Sequence, residues 1–132
     1  MKIEDHNRNI RESLEVIHEC IQKGIQERQR TIGFNASVAA TEMLEVYLHK
    51  QNLINPGTIL KHEWFTSERK AYEKLSFDFP EKEAIIKILV EIESKRNILC
   101  YGKPQPAEAI TKILSLFNQL KIIFQEAGLS WN

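Results

Sequence analysis

The chain has 132 residues, which fits one domain (1–132) with a single sizeable core. Eighteen Lys and Arg balance eighteen Asp and Glu. That excludes a polybasic binder drawn to nucleic acid or anionic membrane by its overall field, while leaving a local patch open. A hydrophobic share of 42%, with five Gly and four Pro, excludes collagen-like and low-complexity chains. Cys20 and Cys100 lack any C-x-x-C spacing, and residues 1–5 lead into a charged amphipathic stretch with no secretory pattern. The apolar run from Ala84 to Val90 is broken by Lys87, far short of the roughly 20 residues that span a bilayer. The expectation is a cytoplasmic protein with free thiols and no membrane association.

In chain order, Ile10, Leu14, Ile17, Ile21 and Ile25 recur at helical intervals and give a first helix with one inward stripe. Gly24 interrupts it, residues 27–31 read as solvated, and Thr31-Ile32-Gly33 reads as a turn. A second helix follows from about Asn35 to Gln51, with Ala36, Ala39, Ala40, Met43, Leu44, Tyr47 and Leu48 inward. Its small residues admit another helix closely. Asn55 is expected to cap a short helix with Pro56 at its first position and Ile59, Leu60, Trp64 and Phe65 inside. A second short piece covers residues 67–75, and residues 76–79 read as extended before Pro80.

The third long helix starts near Pro80 or Glu81, with Glu81 and Glu83 at its positive end. Its stripe is Ile85, Ile88, Leu89, Ile92 and Leu99, and Gly102 with Pro104 stop it. Pro106 opens a fourth helix over residues 107–127, striped by Ile110, Ile113, Leu114, Phe117, Leu120 and Phe124. No alternating strand pattern exceeds four residues. The fold class expected is all-α: a four-helix bundle with extra short helices in the long connection between the second and third long helices.

One residue breaks the pattern. Four positions beyond Ile92 the stripe delivers Arg96, which must be paired, reach solvent along its stem, or face a second subunit. Asn97 and Tyr101 share a neighbouring face, so a guanidinium, a carboxamide and a phenol cluster at one helix end. Such a set suits a structural pair with a neighbouring acid, or a phosphate pocket built on arginine's planar fork.

With those residues in view, the chain resembles the HEPN domains, small all-α proteins often paired with minimal nucleotidyltransferases. The resemblance rests on the stretch from Gly33 through Ala36, Ala39 and Ala40 to Leu48, and on Arg96-Asn97 late in the third long helix. Catalytic relatives carry Arg, four to six residues, then His, and this implies metal-independent, toxin-type RNA cleavage where two copies meet. There the His assists proton transfer and the Arg stabilises phosphate charge. Here Arg96 and Asn97 match, Tyr101 stands near the histidine's place, and no histidine follows it. A neutral phenol is a poor general base at neutral pH.

The other histidines carry weaker signals. Arg11 and His18 fit the motif spacing literally but lie in the first helix. His6 and His49 sit in polar surroundings near helix ends and read as solvated. His62, in the irregular connection, is the one histidine positioned to approach the Arg96 pocket. No H-E-x-x-H, paired Cys/His spacing, glycine-rich phosphate loop or nucleophile elbow occurs, so neither metal nor cofactor is expected. Trp64, Phe65, Tyr72, Phe77 and Phe79 form either a satellite core under the connection or a contact surface. Trp131 is either frayed or docked.

Three functions follow as expectations. The first is a dimeric HEPN-like binding module, catalytically degenerate at Arg96, Asn97 and Tyr101, for RNA, a nucleotide or a partner nucleotidyltransferase. The second is an active endoribonuclease, with His62 in reserve. The third is an adaptor bundle without ligand, marked by Arg96 buried against a carboxylate such as Glu42 or Glu45.

Overall fold

A computed structural model describes residues 1–131. The described residues form α1 (Ile3–Lys23), α2 (Gln29–Lys50), a 3-10 turn (His62–Phe65), α3 (Glu68–Lys74), α4 (Lys82–Tyr101) and α5 (Ala107–Glu126), with no strand. No helix among them is long and apolar enough to cross a membrane.

Each boundary has a local cause. Glu4 and Asp5 complement the dipole at the start of α1, and Gly24 ends it with a φ of 128° that a side chain would resist. Asn52 adopts φ 56° just beyond α2, and the Leu53 N–H returns to the Leu48 carbonyl, a left-handed helix stop. Ser67 caps α3 by accepting the Lys70 N–H.

Helix α2 is the centre of the molecule. It packs against α1, α4 and α5, and most residues from Ile32 to Leu48 are buried, with Phe34 left exposed. The alanines expected to admit close neighbours do so: Ala36, Ala39 and Ala40 are fully covered. The stripes of α4 and α5 face this helix and each other, and the buried apolar side chains make one continuous cluster. Among the helices, α1 packs on α2 alone.

The start of α2 differs from the sequence reading. Residues 31–33 are helix, not turn, and Gln29, expected in solvent, is buried with its side chain bridging the Gln105 backbone. Gly33 is there for close approach. A Cβ at this position would lie 3.1 Å from the Leu99 Cβ and 3.4 Å from the Cys100 Sγ. Gly33→Val is therefore expected to cost about 1–3 kcal/mol by overpacking the α2–α4 contact, measured as a shift in urea midpoint.

The long connection also departs from expectation. Residues 55–61 form no helix, so Asn55 caps nothing of the kind, and Ile59 is exposed. Only the short His62–Phe65 turn and α3 are helical there. Phe65, Leu75 and Phe79 are buried under this segment, while Tyr72 stays exposed, so the aromatics mostly form a satellite core. At the other end Trp131 is docked: its side chain is buried and its carbonyl accepts from Arg11. His6 and His49, expected in solvent, are enclosed between α1 and α2, because Glu42 and Glu45 supply polar partners there.

Candidate functional site

Arg96 lies on the inward face of α4, 7% exposed, as the break in the stripe requires. Its acidic partner is Glu93, one turn earlier on the same helix, with Nη1 3.8 Å from Oε1. Arg96 is thus buried against a carboxylate, the mark of the adaptor expectation, but that carboxylate is Glu93, while Glu42 and Glu45 belong to a different cluster. Glu93 is itself buried and serves three groups. It accepts from Ser37 Oγ on α2 at 3.2 Å and from His62 Nδ1 at 2.8 Å, and faces the guanidinium. So many partners satisfy a buried carboxylate, which isolated would be costly.

The guanidinium has other neighbours. Nη1 donates to Asn97 Oδ1 at 3.3 Å, while Nε, also buried, has no hydrogen-bond partner among the described residues. Two aromatic rings close over it: its Cζ lies 6.0 Å from the Phe34 centroid and 5.8 Å from that of Tyr101. Both distances are within the range of cation–π attraction. Phe34 is 50% exposed and Tyr101 73% exposed, so Arg96 holds from below two rings that present themselves to solvent.

Those rings line an open groove of about 460 Å³ between the start of α2 and the end of α4. Glu27, Arg30, Thr31, Asn35 and Cys100 complete its walls. Its directly available cation is Arg30, an exposed residue. Of the residues singled out in the sequence, Tyr101 lines the groove, Arg96 buttresses it, and Asn97 sits exposed beside them. Arg30 and Phe34 escaped the sequence reading because residues 31–33 read as a turn; continuing the helical register back to Gln29 aligns them with Tyr101.

His62 is also part of this neighbourhood. Its ring is held by Glu93 through Nδ1, is 41% exposed, and has Nε2 3.8 Å from the exposed Glu63. A carboxylate fixing one ring nitrogen while the other faces outward is the arrangement a general base uses. Arg11 and His18 line one open groove on α1, but Arg11 donates to the Trp131 carbonyl and His18 meets Gln22.

The cysteines are free and well apart in role. Burial pushes both the Cys20 and the Cys100 thiol above the ordinary value, opposed for Cys100 by Arg96 and Arg30. Both thiols are accordingly protonated at neutral pH, and slow alkylation by iodoacetamide is expected at pH 7, slower than a free cysteine measured alongside.

The arrangement offers one buried charge network and one groove edged by two aromatic rings and an arginine. No protein-family model matches the chain, nor does any curated protein or solved structure.

Proposed function

We propose that the chain is a HEPN-like four-helix bundle, elaborated by short helices in its long connection. In this reading it works as a catalytically degenerate, cytoplasmic binding module for RNA or a nucleotide. The observation that carries this is the Phe34–Arg96–Tyr101 stack beside Arg30. Exposed rings offer stacking faces to bases, and an adjacent guanidinium meets phosphate. The zero net charge fits a local binding patch better than a polybasic surface. The exposed Ile98 lies near the same helix end and adds apolar surface. A homodimer formed there, as the resemblance implies, would face two copies of the groove toward each other. A minimal nucleotidyltransferase is the protein partner that the same resemblance suggests.

The held imidazole of His62 favours a second reading, a metal-independent endoribonuclease in which His62 replaces the absent motif histidine. Incubating the purified protein with RNA in chelator separates the two, with Arg96→Ala, Tyr101→Phe and His62→Ala made alongside. The binding reading expects retained RNA and no cleavage. Cleavage lost in both Arg96→Ala and His62→Ala would replace it with the enzyme.

A further inference from the structure

A second polar cluster lies away from the groove, buried between α1 and α2. It contains His6 from α1 and Glu42, Glu45 and His49 from α2. Glu45 and His49 stand four residues apart, so both project from one face of α2. Side-chain exposure is 4% for His6, 4% for Glu45 and 9% for His49. Ligand atoms of these three residues all lie within 4.8 Å of one another.

Each of the first two is held by its other polar atom. His6 Nδ1 is hydrogen-bonded to Glu42 Oε2 at 3.0 Å, which fixes the ring orientation and turns Nε2 toward Glu45. The Leu60 N–H donates to Glu45 Oε1 at 2.7 Å, leaving Oε2 turned toward both histidines. His6 Nε2, Glu45 Oε2 and His49 Nε2 are all buried; Glu45 Oε2 stands in ion-pair contact with His6 Nε2 and 3.9 Å from His49 Nε2, yet none of the three makes a well-formed hydrogen bond among the described residues. A simple hydrogen-bonded lock between two helices would satisfy these atoms. Three buried ligand atoms crowded on one another without a well-formed hydrogen bond, two of the residues held by a second partner, are instead the pattern of metal ligands with their outer support.

We propose that His6, Glu45 and His49 bind a divalent transition-metal ion of the zinc class. Two imidazoles and one carboxylate suit that class, whereas calcium and magnesium prefer all-oxygen sets. Three protein ligands leave one coordination position for water. The ion would tie α1 to α2, the one helix α1 packs on. The sequence concealed the site because His6 meets α2 from 36 positions before Glu42, outside any local ligand spacing.

The test uses the full chain stripped with chelator and then titrated with Zn²⁺ alone and with Co²⁺ alone. Stoichiometry is read by competition with a chromophoric chelator, and ligand geometry from the cobalt absorption. One equivalent is expected. Glu45→Gln retains an oxygen for the Leu60 N–H and His49→Gln retains a polar side chain. Both should keep the helical circular dichroism yet bind about tenfold or more weakly. Zinc at 100 times its Kd should shift the wild-type unfolding equilibrium about 100-fold toward the folded state. The proposal fails if the folded wild type takes up neither metal, or if Glu45→Gln and His49→Gln bind as the wild type does.

Discussion

Glu93→Ala is expected to destabilise the fold by about 3–5 kcal/mol, the usual result of stripping one partner from a buried ion pair. Glu93 faces Arg96 at 3.8 Å and also accepts from Ser37 and His62. Its removal leaves a buried guanidinium with Asn97 and two ring faces as its remaining partners. The pair is loose for a salt bridge, which places the effect toward the lower end of that range. The cause is checked by adding Arg96→Met to Glu93→Leu. Because the large term is the orphaned charge, the double variant should recover most of the loss. If Glu93→Leu and the double variant unfold at the same urea concentration, the penalty comes from packing and this explanation is wrong.

Phe124→Ala is expected to cost about 3–5 kcal/mol for a different reason. The ring is fully buried on α5, and its centroid lies 5.5 Å from that of Tyr47 on α2. Truncation removes both the transferred surface and the aromatic contact, and leaves a cavity that two long helices cannot close. Leu114 lies on the same helix but only half-buried. Leu114→Ala should therefore cost clearly less, and equal costs in chemical denaturation would contradict the assignment of Phe124 to the centre of the core.

The long helices were legible because their apolar residues recur at helical spacing. The Ile110-to-Phe124 stripe and the alanines of α2 lie buried as read, Leu114 only partly. Arg96 was legible for the opposite reason, as a charge that the Ile85-to-Leu99 spacing carries inward, whereas the buried Glu93 and Glu45 were not read. What escaped depended on tertiary contacts. Gly33 has the chemistry of a turn residue, yet serves a close approach of α2 to α4, where an added Cβ would lie 3.1 Å from the Leu99 Cβ. Reading it as a turn shortened α2 and hid Arg30 and Phe34. His6 and His49 carry no sign of burial in their own neighbourhoods, since the acids that receive His6 sit on another helix. The helix expected after Asn55, with Ile59, Leu60, Trp64 and Phe65 inside, had good capping chemistry, but Leu60 is buried from non-helical backbone and Phe65 from the short 3-10 turn, while Ile59 is exposed.

The groove is tested most directly by titrating labelled single-stranded RNA with the wild type and with Tyr101→Ala, followed by fluorescence anisotropy. Tyr101 is 73% exposed, so its truncation leaves the fold intact. Stacking of one base on an aromatic ring is worth about 1–3 kcal/mol, so Tyr101→Ala should weaken binding about 5- to 150-fold. Affinity should also fall with salt, by a log–log slope of about −0.7 for each phosphate neutralised. Salt-dependent binding that Tyr101→Ala weakens to this degree is the predicted result. A folded wild type that binds no RNA, or a Tyr101→Ala protein that binds as tightly, contradicts the account.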